Sequence, residues 1–263
     1  QMCIRDRILS LFFLITNFYM LSAQNEPKKL LAIFAHPDDE QSVAPLLVKL
    51  VEEGVEVTLV IATDGRLGVN EYNDNKAGDG LANIRRKEMM CAADILGVKL
   101  IHLDYHDQLK AAEGFDGHVP HAQKLILELK NIIDKVQPDA IITWGPDGVT
   151  THMDHRLVGA SVTQVFVSQK WKNSMKLYFF GVPSDMLGSQ KVKTLRGQER
   201  SFLNVQIPFT WDQYDKAYES LLCHESQYPA EVVMKMKEDK KSFGNRVYLR
   251  QFMSSKKVKN RLF

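Results

Sequence analysis

The sequence predicts an α/β fold: an open sheet, mostly parallel, flanked by helices and followed by a C-terminal elaboration. Three observations predict it. Apolar runs of strand length alternate with longer amphipathic stretches, the pattern of parallel strands joined by crossover helices. Gly54 and Gly97 stand where two of those stretches stop. Histidines and carboxylates collect just after the apolar runs, at the strand ends where open parallel sheets present their ligands.

Leu30 to Ala35 reads as a buried first strand, with helix from about Asp39 to Glu53 after it. Val55 to Ala62, rich in β-branched residues, is the second strand. The Gly- and Asn-rich stretch from Asp64 to Gly80 has no apolar period and reads as a long loop of the kind that carries function. Ile84 to Leu96 is a helix, and Val98 to Leu103 the third strand. A loop through Gly117, a helix from about His121 to Val136 and a strand at Ala140 to Trp144 complete the open sheet. A further helix begins near His155. The pattern then loosens into strands around Leu177 to Val182 and Phe202 to Ile207, with helix from about Trp211 to His224. With no repeat or low-complexity linker, residues 24–263 read as one domain in which 176–263 form the elaboration and a basic tail. The lysines from Lys235 to Lys259 read as a solvated helix face and tail.

The polar strand ends carry the chemistry. The first strand runs into His36-Pro37-Asp38-Asp39-Glu40, the second into Thr63-Asp64-Gly65, the third into Asp104, and the fourth into a loop with His152, Asp154 and His155. Helix-end electrostatics would explain an acidic turn. It would not explain a histidine ending an apolar strand beside two adjacent carboxylates, whose repulsion calls for a cation nearby. His36 and Asp39 can converge on one ion across that turn, and His155 completes a two-histidine, one-carboxylate set with a position left for water. Zinc leads by ligand type, and iron, cobalt or manganese suit the same trio. His102, His106, His118 and His121 read as ordinary satisfied polar residues. The first strand lacks the Gly-x-Gly-x-x-Gly turn of a dinucleotide site.

Ala35-His36-Pro37-Asp38-Asp39-Glu40 followed by His152-Met153-Asp154-His155 resembles the LmbE-like, or PIG-L, family of zinc-dependent N-acetylglucosaminide deacetylases. The resemblance extends through Thr63-Asp64-Gly65, Arg85 with Glu88, Gly97 and Asp104 to His224-Glu225-Ser226-Gln227. It implies a Rossmann-like fold and a hydrolase that removes an N-acetyl group from an amino sugar or glycoconjugate. On the matching positions it implies His36, Asp39 and His155 as metal ligands and Asp38 as general base. His152 would polarise the amide oxygen, Asp154 would orient its neighbours, and Arg85 and Asp104 would contact the sugar. Arg85 and Glu88 also fit a simpler reading, a surface pair at i, i+3. The sequence departs from the family pattern at Met153, which replaces a proline, and at Thr150, where some members carry a tyrosine. The Thr150 difference opens the substrate beyond theirs. Two alternatives use the same residues: an amidase on a non-sugar N-acyl substrate, and a non-catalytic sugar- or nucleotide-binding module.

The 263 residues carry 34 basic and 32 acidic side chains, a net charge of +2 that calls for neither nucleic acid nor an acidic surface. The partner expected is a small-molecule or glycoconjugate substrate. Arg5 and Arg7, the apolar run Ile8 to Leu21 and the small residues Ser22-Ala23 read as a secretory leader, residues 1–23, cleaved before Gln24. The expected location is periplasmic or extracellular, with no stable membrane span once the leader is gone; an uncleaved N-terminal anchor is the alternative. Export would put Cys91 and Cys223 in an oxidising compartment, where they could pair.

Overall fold

The computed structural model describes residues 26–172, 174–187 and 196–253, so the leader-like start lies outside the described residues. Among the described residues seven strands form one sheet in the order β3-β2-β1-β4-β5-β7-β6. They are β1 (Lys29–Phe34), β2 (Glu56–Thr63), β3 (Lys99–Tyr105), β4 (Ala140–Trp144), β5 (Lys176–Phe180), β6 (Val205–Pro208) and β7 (Arg246–Phe252). β1 to β5 run parallel, and β7 pairs antiparallel with both β5 and β6.

β1 shows why the sheet is buried on both faces. Leu30, Ala32 and Phe34 join one apolar cluster, while Leu31, Ile33 and Ala35 join the other, as the two-residue period of a strand requires. The first cluster is roofed by α1 (Ala44–Glu52), α2 (Asp79–Leu96) and α5 (Trp211–Leu221) through residues such as Leu47, Met89 and Tyr218. The second is covered by α3 (Phe115–Val136) and α4 (Met153–Val167), which contribute Leu125, Leu129, Val158 and Val162. Gly97 closes α2 at φ 73, a left-handed position that favours glycine. Thr210 and Gln213 form a reciprocal capping box at the start of α5.

The single helix expected from Asp39 to Glu53 is two elements. A 3-10 turn spans Asp39–Ser42, Val43 leaves helical geometry at φ −130, and α1 starts at Ala44 with Pro45 in its first turn. The break follows from Asp39, whose carboxylate turns back to accept the N–H groups of Ala35 and His36. α2 begins at Asp79 rather than Ile84. α3 begins at Phe115 rather than His121, with Pro120 near its N-terminal end, where few intrahelical bonds are lost. The basic stretch expected to be a solvated helix and tail contains α6 (Ala230–Lys241) and then strand β7, whose Val247, Tyr248 and Leu249 are buried. Packing between β5 and β6 overrides its charged composition. Among the described residues no helix is long and apolar enough to cross a membrane.

Sheet order fixes where the chemistry gathers. β1 hydrogen-bonds to β2 on one side and to β4 on the other, so the order in which strands are added reverses between β1 and β4. The crevice at such a switch point receives the loops that follow both strands. Those loops carry the two histidine motifs.

Candidate active site

His36 follows β1, and His155 sits in the first turn of α4 after β4. α4 reaches the strand end because Gly159 lies against the carbonyl oxygen of Trp144, where a Cβ would collide. Trp144 in turn stacks on the His155 ring, centroids 4.2 Å apart. Asp39 lies between the two imidazoles: one carboxylate oxygen is 3.5 Å from His36 Nδ1, and the other is 3.1 Å from His155 Nε2.

The remaining ring nitrogens decide what that arrangement wants. His155 Nδ1 is 3.0 Å from the Gly148 carbonyl, which only accepts, so Nδ1 carries the proton and Nε2 presents a lone pair. His36 Nε2 is held 3.0 Å from Asp154 Oδ2, leaving Nδ1 toward Asp39. Lone pairs on both rings therefore face a carboxylate across about a hydrogen-bond distance, which is stable only with a proton or a cation between them. Burial works against a charge on His36, but its bonds to Asp154 and Asp39 outweigh it and push its pKa up to about 10. Burial also opposes ionisation of Asp39, yet the hydrogen bonds of His155 and His36 hold it well below the usual carboxylate range. The donor set, two imidazoles fixed by outer partners and one carboxylate, fits a divalent metal of the zinc type. Among the described residues, two sets of three ligand atoms also lie within 4.8 Å of one another: His36, His152 and His155, and His36, Asp107 and Asp154.

Asp38 stands beside this centre in a backbone conformation that L-residues rarely adopt, φ 103. Three contacts from two side chains hold it there. Its N–H donates to Glu40 Oε2 at 3.0 Å, Arg85 lies 3.2 Å from its carboxylate, and Arg85 also donates to the Pro37 carbonyl. Burial, offset only in part by Arg85, pushes the Asp38 carboxyl up to about 6. That is the range in which a carboxylate both accepts and returns a proton near neutral pH.

His152 caps α4, its Nδ1 accepting the N–H of Asp154 at 3.2 Å, so its neutral ring carries the proton on Nε2. Burial, then the neighbouring His36, lowers its pKa. The group is thus a neutral N–H donor. His36, Asp38, Asp39, Arg85, His152, Asp154 and His155 line one polar cavity of about 260 Å³.

Arg85 and Glu88 do not form a surface pair: they are 3% and 9% exposed, and Glu88 instead takes both the N–H and hydroxyl of Ser226 at 2.7 Å. Arg85 also donates to the Gly65 carbonyl, so it ties together the loops after β1 and β2. Asp104 ends β3 on the surface in an ion pair with Arg86 and is not among the cavity's lining residues. His102, His106 and His118 bond backbone carbonyls, as ordinary polar residues do.

Asp107, three residues beyond Asp104, reaches the cavity instead. It is 4% exposed and accepts the N–H groups of Gly65 and Leu67. Sequence reasoning missed it because its apolar strand had already ended. Tyr228 was missed too, although it directly follows the His224-Glu225-Ser226-Gln227 motif. The charge of Asp38, then burial, push its phenol well above the ordinary value, so it lies against Asp38. Thr150 touches the back of the site, its hydroxyl 2.9 Å from His155 Nδ1.

A family model described as GlcNAc-PI de-N-acetylase (PIG-L) matches residues 31–166. Over 141 residues the chain is 34% identical to 1D-myo-inositol 2-acetamido-2-deoxy-alpha-D-glucopyranoside deacetylase of Corynebacterium diphtheriae, a match covering 48% of each. The chain spans about half the length of the curated relatives it matches. N,N'-diacetylchitobiose deacetylase from Pyrococcus horikoshii has a TM-score of 0.63 and 22% identity, over 95% of this chain and 93% of that one. The 4-carboxy-2-hydroxymuconate hydratase of Pseudomonas putida also has a TM-score of 0.63, with 16% identity over 90% of this chain and 100% of that one. A deacetylase and a hydratase thus share this fold, and the reaction must be argued from the site.

Proposed function

Because the chain belongs to the PIG-L, or GlcNAc-PI de-N-acetylase, family, we propose that it is a zinc-dependent hydrolase removing an N-acetyl group from an N-acetylglucosamine-like amino sugar or glycoconjugate. The observation that carries this reading is Asp39 poised between His36 and His155, with a carboxyl tuned to about 6 beside it at Asp38. His36, Asp39 and His155 would hold the metal. When bound, such an ion supplies a Lewis acid for the amide oxygen and acidifies water at neutral pH.

The chain's own groups do the rest. Asp38 takes a proton from the attacking water as its oxygen bonds to the acetyl carbon. His152 Nε2–H donates to the amide oxygen as negative charge gathers there, worth the few kcal/mol typical of one oxyanion donor, about 3. Asp38 then returns its proton to the nitrogen as the C–N bond breaks, releasing acetate and the free amine. Arg85 keeps Asp38 in place through its carboxylate and the Pro37 carbonyl, and Asp154 keeps the His36 ring in place. The cavity of about 260 Å³ lies just below the usual range of ligand pockets, roughly 300–1,000 Å³, which suits a sugar ring better than a polymer surface.

The test is release of acetate from N-acetylglucosamine and diacetylchitobiose by metal-loaded protein, and its loss on chelation. Metal-dependent release of amine only from non-sugar N-acyl compounds would replace this reading with the amidase one.

Export is part of the proposal. It is supported by the disulfide between Cys91 in α2 and Cys223 just past α5, Cα atoms 5.9 Å apart, a bond that persists in oxidising compartments. Mature protein recovered from an exported fraction is expected to begin near Gln24. An intact leader on cytoplasmic protein would refute this.

A further inference from the structure

A second cavity, of about 560 Å³, opens beside the carboxyl end of β5 and shares no lining residue with the metal cavity. Its walls are largely apolar, with Phe180, Phe209, Phe243 and Tyr248 among them. Among the described residues its only ionisable acid or base groups besides tyrosines are Arg196, Lys240 and Arg246, and no carboxylate lines it. Among the described residues none of these three cations forms an ion pair, and the buried Nε of Arg196 has no hydrogen-bond partner. The nearby Asp185 is already taken by Arg200 at 2.9 Å. Gln198 packs its side-chain amide against Gly181 of the cavity wall, and both its oxygen and its nitrogen are buried and unpartnered.

The buried Nε of Arg196 and the buried amide of Gln198 call for a polar partner, and Lys240 and Arg246, which are exposed, add positive charge to the same cavity. The cavity also adjoins the metal centre's support. Val149 lines it and follows Gly148, whose carbonyl fixes His155; Phe180 lines it and packs on Trp144, centroids 6.0 Å apart, the ring that stacks on His155.

We propose that this cavity is a second binding site, for an amphipathic organic anion: an apolar body carrying one carboxylate or phosphate head. The apolar body fills the aromatic walls, and the head sits among Arg196, Lys240 and Arg246. The site stands independently of the deacetylase reading, because binding there requires neither metal nor turnover.

Calorimetric titration of the full chain with dodecanoate, dodecyl phosphate and uncharged dodecanol tests it. Both anions are expected to bind one per chain, roughly tenfold or more tighter than dodecanol, the equivalent of one charge-assisted hydrogen bond. Arg196→Gln and Arg246→Gln, neither of them in the core, should each weaken the anions by roughly tenfold and leave dodecanol unchanged. Val182→Trp, which narrows the cavity, should weaken all three ligands. Asp39→Ala should bind dodecanoate as the parent does. Equal affinity for the three ligands, indifference to both arginine variants, or loss of dodecanoate binding in Asp39→Ala would each overturn the proposal, the last by putting the carboxylate at the metal centre.

Discussion

His224 Nε2 lies 2.9 Å from Glu40 Oε1, and both side chains are fully buried. Burial alone would lower the His224 pKa, but the charge of Glu40 and the hydrogen bond to it raise it. The pair matters because the other Glu40 oxygen receives the N–H of Asp38, the residue held at φ 103. A buried ion pair thus fixes the backbone of the proposed base from behind. Glu40→Ala is expected to lower kcat by roughly 10- to 100-fold, the cost of misplacing a reacting group by about 1 Å, with KM and metal content little changed. Glu40→Gln, which keeps one accepting oxygen, should fall between. Loss of metal in both variants would show that the pair serves the metal ligands and not the base.

The proposed metal ligands divide sharply from the proposed oxyanion donor. Asp39 is anchored by two backbone N–H groups and faces both imidazoles, whereas His152 is exposed and spends its Nδ1 on the helix cap. Asp39→Ala should therefore purify with little metal. His152→Ala should retain about one equivalent and lose roughly 100- to 1,000-fold in kcat. Metal analysis of the two proteins checks this, and a metal-free His152→Ala would move His152 into the ligand set with His36 and His155.

Much of this site could be read from the chain because its chemistry is local: His36 to Glu40 and His152 to His155 are two short runs at strand ends, and the parallel sheet brings them together at the β1–β4 switch. Residues positioned by long-range packing left no such trace. Asp107 enters the cavity only because the loop after β3 folds back onto Gly65 and Leu67, and Tyr228 reaches Asp38 only because the segment after α5 lies beside it. β7 escaped for a related reason: its charges suggest solvent, but its pairing with β5 and β6 buries Val247 and Leu249. Asp104 shows the reverse failure, a strand-end carboxylate whose side chain turns out to Arg86.

The disulfide links α2 to the segment that carries His224 and Ser226, beside a second link from Glu88 to Ser226. Closing so long a loop stabilises the fold chiefly by restricting the unfolded chain, by about 2–4 kcal/mol in typical cases. Cys91→Ser with Cys223→Ser should lose about that much in denaturant unfolding. Activity at low temperature should survive, since the Glu88–Ser226 bonds still hold the segment. No stability change would mean that the thiols are unpaired in the purified protein.

Asp38, as the proposed base, ties activity and stability to one carboxyl. With its pKa raised to about 6, it is protonated below that value, so kcat/KM should rise through about pH 6 as the base forms, and Asp38→Asn should abolish the activity. Stability runs the other way. In the unfolded chain the carboxyl ionises near its ordinary value of 3.8, so the native state binds more protons between about pH 4 and 6. Stability attributable to this group is therefore present below the unfolded pKa and is lost as pH climbs through about 6. The amide in Asp38→Asn carries no such penalty, and asparagine tolerates positive φ better than most residues. Metal-free Asp38→Asn should consequently gain thermal stability relative to the metal-free parent on going from pH 5 to pH 8, by roughly 2–6 °C. Melting curves of both proteins at the two pH values decide it: a difference independent of pH would mean that Asp38 is not held against its charge, and the tuning proposed for the base would go with it.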